Sequence, residues 1–114
     1  MIAYPSYQDI VRKSNRADGL SGLMKAMGNQ TRYFSEVNTY TADLTDLGYA
    51  VATNAPSTEG RYLITAAACG GDIGTCVTLT AVAQGDQAND TSNGTSCATL
   101  TLSSTDAKTP ADCW

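Results

Sequence analysis

Residues 4–34 read YPSYQDIVRKSNRADGLSGLMKAMGNQTRYF, and the fold turns on how this stretch is read. Its larger or apolar side chains recur at Tyr7, Ile10, Val11, Ala17, Leu20, Met24, Met27 and Phe34, largely at the threes, fours and sevens that one stripe of an α-helix requires. Arg12, Lys13, Asn15, Arg16, Lys25 and Asn29 fall mostly off that stripe. At 1.5 Å per residue such a helix would be a rod of roughly 45 Å, longer than a domain this small can cover, so one end is expected to project. Pro5 is tolerated only in a first turn or at a kink, so the helix starts there or continues an upstream segment. Gly19, Gly22 and Gly28 each lower helix propensity by up to about 1 kcal/mol. Tertiary packing must therefore hold the rod, and small residues on one face admit another helix or a sheet.

Beyond the helix the pattern changes. Residues 35–60 read as a connection punctuated by Asn38, Asp43, Asp46, Gly48, Asn54, Pro56 and Gly60, with Tyr40, Leu44, Leu47 and Tyr49 as the anchors that fold it onto the core. Three strands are expected in 61–69, 76–84 and 97–103, each rich in Thr, Val, Leu or Ile and bounded by turn residues. Alternation points Val77, Leu79 and Ala81, then Ala98, Leu100 and Leu102, inward, and Thr78, Thr80, Thr99 and Thr101 outward. The same parity puts Cys76 and Cys97 on the outward face.

Cys69, Cys76, Cys97 and Cys113 contain no CxxC knuckle, so they read as a disulfide framework rather than a metal site. Pairing Cys69 with Cys76 closes the turn between two neighbouring strands, and pairing Cys97 with Cys113 ties the last strand to the C-terminus. Loop-closure entropy gives these bridges about 2.5 and about 3 kcal/mol. The alternative joins Cys76 to Cys97 across strands and leaves Cys69 for Cys113. Bridges need an oxidising compartment, yet the 114 residues carry no signal peptide and no transmembrane run. Met1 directly before Ile2-Ala3-Tyr4-Pro5 reads as a start placed on a shortened protein whose export segment lies upstream.

With no His in the chain, Ser-His-Asp and Cys-His nucleophile systems, HExxH zinc sites and imidazole acid–base chemistry are excluded. A net charge of −4 argues against a dedicated nucleic-acid binder. The charge is uneven, however. Arg12, Lys13, Arg16, Lys25 and Arg32 dominate the first thirty-two residues, whereas the remainder is strongly acidic. The bases read most simply as a solvated helix face. The NxT triplets at Asn29, Asn89 and Asn93 are incidental in a Thr-rich chain. The oxygen-rich run 85–94 lacks EF-hand spacing and reads as a solvated turn.

Certain segments, taken in order, resemble the type IV pilins, and in particular PilE-like minor pilins. They are Ala3-Tyr4-Pro5-Ser6-Tyr7, Arg32-Tyr33-Phe34, Asn38-Thr39-Tyr40-Thr41, Glu59-Gly60-Arg61-Tyr62, the strand from Cys76 to Ala81, and the ending Thr99 to Leu102 followed by Thr109-Pro110-Ala111-Asp112-Cys113-Trp114. The resemblance spans nearly the whole chain. It implies an α+β fold in which a long N-terminal helix packs on an antiparallel sheet of three to four strands with a disulfide-closed C-terminal region. Residues 1–114 would form one pilin globular domain, with the helix in 1–34, the loop in 35–60 and the strand-rich part in 61–114.

The resemblance further implies a structural subunit of a pilus filament, supporting motility, adhesion or DNA uptake, with no catalytic residue, no metal and no cofactor. Its partners would be other pilin subunits and, through a preceding apolar helix, the inner membrane. The globular domain would be periplasmic before assembly and exposed on the bacterial surface afterwards. Tyr7, Ile10, Val11, Arg12, Lys13 and Arg16 are the expected assembly residues, with the bases meeting the acidic sheet region of a neighbour. Rival readings are a pilin that binds DNA or a surface ligand, a type II secretion pseudopilin and a free secreted disulfide module. Since 35–60 and 85–96 contain no Lys or Arg, DNA would have to engage the helix.

Overall fold

We describe the fold from a computed structural model covering residues 4–114, with side chains from Ile10 onward. Helix α1 spans Tyr4–Val37, 34 residues in all, with Pro5 in its first turn, where a missing N–H costs nothing. It stops at Asn38, whose φ of 64° is left-handed and whose N–H returns to Phe34 O at 2.7 Å, the αL way of ending a helix with Asn in place of Gly.

The chain then turns through a short 3₁₀ segment, Leu44–Leu47, capped by Asp43 at its start and by Gly48 in the left-handed region at its end. Leu44 is fully buried, and Tyr40, Leu47 and Tyr49 pack half-buried against the core, so the anchors read from the sequence do fold this segment down. Strand β1 (Ala55–Pro56) precedes β2 (Tyr62–Ala68) and β3 (Val77–Ala83). A small hairpin of β4 (Thr91–Ser92) and β5 (Thr95–Ser96) follows, then β6 (Thr99–Ser103) and β7 (Lys108–Thr109).

The main sheet has five strands in the order β1-β2-β3-β6-β7, every pair antiparallel. Both edge strands are two residues long, which is why the alternation pattern, needing four or more positions, revealed only the central three. In β3 the buried residues are Val77, Leu79, Ala81 and Ala83, and in β6 they include Leu100 and Leu102. These side chains meet α1.

The face that α1 offers them is only partly the apolar stripe expected: Leu20 and Met27 pack half-buried against the core. Ile10, Val11 and Met24 are exposed, as is Ala17, while the side chain of Tyr7 lies outside the described residues. The buried positions are Arg16, Gly19, Leu23, Ala26 and Gln30, at alternating steps of three and four, flanked by Asp18 and Gly22. Two physical reasons shifted the face. Gly19 and Gly22 lie under Tyr62 and Ile64: a Cβ on Gly19 would stand 2.8 Å from the Tyr62 ring, and one on Gly22 2.9 Å from Ile64 Cδ1. The other occupants are polar side chains whose bonding partners lie far along the chain.

Gln30 is one of them. Its Nε2 donates to Thr41 O at 2.6 Å and its Oε1 accepts from Thr41 N at 3.0 Å, pinning the loop to the helix. Asp18 is another, accepting from Ser57 Oγ (2.5 Å), Glu59 N (3.1 Å) and Arg61 N (3.2 Å), so that the β1–β2 hairpin is clamped to α1. Among the described residues no buried side-chain polar atom lacks a partner. Also among them, no helix is long and apolar enough to cross a membrane.

Two disulfides close the structure, Cys69–Cys76 across the β2–β3 turn and Cys97–Cys113 between the residues preceding β6 and the C-terminal turn. Cys97 is 0% exposed, against the outward position its parity implied. It precedes the start of β6 at Thr99, where the pleat does not apply, and its N–H is tied to Asp90 O at 2.8 Å.

Candidate functional site

The basic residues divide into two groups. Arg12 donates to Asp86 through Nε (3.1 Å) and Nη2 (2.8 Å). Arg16 donates to Asp90 through Nε (2.6 Å) and Nη2 (2.9 Å), with both side chains under one-tenth exposed. Both arginines therefore meet carboxylates of their own chain, where the sequence had set them against the acidic sheet region of a neighbour. The acids sit in the 85–90 turn, which folds back onto the first half of α1, and Gln87 Nε2 completes the staple by donating to Arg12 O and to Tyr62 Oη. The hydrogen bond from Arg12 holds the Asp86 carboxyl below its ordinary pKa, and the one to Asp90 raises that of Arg16. The carboxylates of 85–94 are thus occupied by guanidinium groups. Among the described residues no cluster of three or more His, Cys, Asp or Glu could hold a metal ion.

Lys13, Lys25, Arg32, Arg61 and Lys108 form the second group, exposed and without a carboxylate partner among the described residues, Lys108 lying over the Trp114 ring. Lys25, Asn29, Arg32 and Glu36 follow one another at helical spacing along one flank of α1, beside the 46–49 turn and the 56–58 segment. Between these walls runs a groove. Its upper part is a cavity of about 310 Å³ lined by Asn29, Arg32, Tyr33, Glu36, Asp46, Leu47 and Gly48. It continues through a cavity of about 120 Å³ that shares Asn29, Leu47 and Gly48 with the first. A third, of about 190 Å³, is floored by Gly22 and Ile64 and walled by Lys25, Tyr49 and Pro56 to Thr58.

Three local features build this groove. The Gln30–Thr41 pair brings the loop back along the helix, and Gly48, at φ 95°, makes the turn that a side chain would strain. The Asp18 clamp holds the lower wall. Burial pushes the Tyr49 hydroxyl up in pKa, partly offset by a hydrogen bond from the Asn29 side chain. The groove thus offers cations at its rim, phenol rings and an amide along its length, and the carboxylates of Glu36 and Asp46 at its upper end. The sequence offered Tyr33 and Tyr49 as rings that could stack on bases if exposed and the helix as the place DNA would engage, but did not join them into one site. The one local signal was the spacing of Lys25, Asn29 and Arg32, which reads equally well as a solvated helix face.

A long helix laid on an antiparallel sheet, with a disulfide closing the C-terminal region, is the architecture of a type IV pilin. The high-resolution structure of a type IV pilin from Shewanella oneidensis matches it with a TM-score of 0.61 over 90% of this chain and 97% of that one, at 21% identity, a likeness of fold. Residues 5–101 match the family model described as type IV minor pilin ComP, DNA uptake sequence receptor. The chain belongs to that family and is a subunit of a type IV pilus. No curated protein sequence matches it closely.

Proposed function

We propose that this minor pilin is a DNA receptor displayed on a type IV pilus, and that its groove flank meets the phosphate backbone. The observation that carries the reading is the division of the bases. Arg12 and Arg16 are consumed within the chain, and of the remaining bases Lys25 and Arg32 stand on the groove itself, two helical turns apart, roughly 10.5 Å along α1. The family, described as a DNA uptake sequence receptor, points the same way. Because the whole chain carries −4, attraction is confined to this flank. About two phosphate contacts give a log–log salt slope of about −1.8.

The test is fluorescence anisotropy of duplex DNA against the chain over a range of salt, comparing the unaltered protein with Lys25→Glu/Arg32→Glu. Loss of binding and of most of the salt slope in the variant is expected. Equal affinity of the two proteins at every salt concentration overturns the reading.

The outer face of α1 supports the assembly part of the proposal. Ile10, Ser14, Ala17, Ser21, Met24, Gly28, Thr31 and Ser35 follow one another at steps of three and four, all exposed and none charged. Ser21, Thr31 and Ser35 donate to carbonyls of Ala17, Met27 and Arg32 in their own helix, so their hydroxyls need no outside partner. A charge-free face with three of its four hydroxyls satisfied suits close packing against another helix. We assign assembly to this face, which retains Ile10 from the expected set and releases Arg12 and Arg16. An apolar segment before residue 4, anchoring the subunit in the inner membrane with a periplasmic domain until assembly, belongs to the same proposal, as does a filament role without catalysis.

A further inference from the structure

The upper cavity is concave, and the bases of an intact duplex cannot reach the floor of a concave site. What enters is a group that projects from the nucleic acid, which for DNA means a nucleotide turned out of the stack. At about 310 Å³ the cavity is of the size that holds a small ligand. Its lining supplies three kinds of contact. Arg32 at the rim suits a phosphate. Tyr33, half-buried on the helix wall, offers a ring for stacking. Glu36, one turn beyond Arg32, and Asp46, on the opposite wall, offer only acceptor oxygens.

Those acceptors decide which base fits. One oxygen of Asp46 already accepts from the Thr41 hydroxyl at 2.8 Å, which holds the carboxylate in place while the other oxygen stays available. A carboxylate facing a base edge needs N–H donors and is repelled by lone pairs. The pairing edge of guanine presents an imino and an amino N–H side by side. Adenine and cytosine each set one amino group beside a ring-nitrogen lone pair, and thymine sets one imino between two carbonyls. Guanine alone gives two adjacent donors.

We infer that the upper cavity, between α1 and the 46–48 turn, is a subsite for an unpaired guanine nucleotide, read by Glu36 and Asp46 with Tyr33 as the stacking wall and Arg32 on the phosphate. This rests on the DNA reading above for its source: the guanine is one displayed by DNA rather than a free nucleotide. Duplex affinity resides in Lys25 and Arg32, and base choice resides in the two carboxylates.

The experiment titrates the full chain with the four nucleoside monophosphates and with a DNA hairpin carrying one looped-out base, guanine or adenine, following the Tyr33 ring resonances by NMR. Guanosine monophosphate is expected to bind about tenfold tighter than the others, the low end of what a two-donor contact discriminates. The guanine hairpin should bind tighter still. Glu36→Gln with Asp46→Asn should erase the preference without weakening duplex binding, since it removes two negative charges beside Arg32. Equal affinity for the four monophosphates, or a preference that survives the double variant, overturns the subsite. A monophosphate that binds as tightly as the guanine hairpin overturns DNA as its source. Duplex binding through Lys25 and Arg32 with no base preference overturns the subsite and keeps the DNA reading. Guanine selection with no duplex binding does the reverse.

Discussion

Arg16 and Asp90, 74 residues apart in the chain, meet in a two-pronged ion pair sealed between α1 and the sheet, with the arginine side chain 8% and the aspartate 2% exposed. Arg16 Nη2 also reaches Thr91 O at 3.4 Å, and the Asp90 carbonyl accepts from Cys97 N. The pair therefore joins three things in one place: the first half of the helix, the 85–90 turn and the entrance to the last long strand. One turn further out, Arg12 and Asp86 repeat the arrangement in solvent.

Removing one partner of such a pair leaves the other charge buried and alone, which costs about 3–5 kcal/mol. Arg16→Ala and Asp90→Ala are each expected to lose that much in urea unfolding. Arg16→Met with Asp90→Leu, which removes both charges and keeps the volume, should lose much less. Equal losses in the single and double variants would show that the site contributes packing and little else.

The outer pair carries a pH signature. The hydrogen bond from Arg12 lowers the Asp86 pKa below its ordinary 3.8. Folding thus favours the ionised carboxylate, and its stabilisation is complete above 3.8 and fades as pH falls through the lower folded value. An NMR titration of the side-chain carboxyl carbons should place the Asp86 midpoint below 3.8, and Arg12→Ala should return it there. Asp43, lowered instead by its hydrogen bonds with Thr45, is the internal control and should not move.

What the sequence revealed and what it hid follow from one difference. Strand alternation at Val77-Thr78-Leu79-Thr80-Ala81 and Thr99-Leu100-Thr101-Leu102 is a local pattern of apolar residues, and it located the central strands to within two residues of their ends. The helix was legible for the same reason. Its buried face was not, because Gly19 presents no side chain and Arg16, Asp18 and Gln30 count as surface residues until Asp90, Ser57 and Thr41 are brought to them. Counting apolar side chains chose Leu20 and Met27, which do pack against the core, together with Ile10, Val11 and Met24, which are exposed. The groove was hidden likewise, since half its wall belongs to a loop that only the Gln30–Thr41 pair lays beside Lys25 and Arg32.

The two disulfides differ in surroundings more than in loop length. Cys97 and Cys113 are both buried, whereas Cys69 is exposed. Replacing Cys97 and Cys113 by Ser should cost about 3 kcal/mol in loop entropy plus the burial of two unmatched hydroxyls. At about 4 °C per kcal/mol for a domain of this size, the melting midpoint should fall by about 12 °C or more. Cys69→Ser with Cys76→Ser should fall short of its entropic limit of about 2.5 kcal/mol, since that hairpin is also held by the β2–β3 ladder. A larger loss for the second pair, measured by calorimetry, would contradict this ordering.

Two glycines in one helix should respond to alanine with opposite signs. A Cβ on Gly19 would press within 2.8 Å of the Tyr62 ring, and Tyr62 is fully buried, so the overpacking cost of about 1–3 kcal/mol exceeds the helix-propensity gain. A Cβ on Gly28 would meet nothing within 4 Å, so Gly28→Ala should stabilise the isolated subunit by about 0.8–1 kcal/mol. A glycine that lowers its own helix's stability while leaving space on an exposed, uncharged face is explained if another subunit comes close there. Gly28→Leu and Met24→Glu, each on that face and away from the core, should then leave the subunit's melting midpoint near or above its original value. Both should sharply reduce its incorporation into surface filaments, counted by immunogold labelling of sheared pili. Normal incorporation of Met24→Glu at unchanged subunit abundance would remove this face of α1 from the assembly contact.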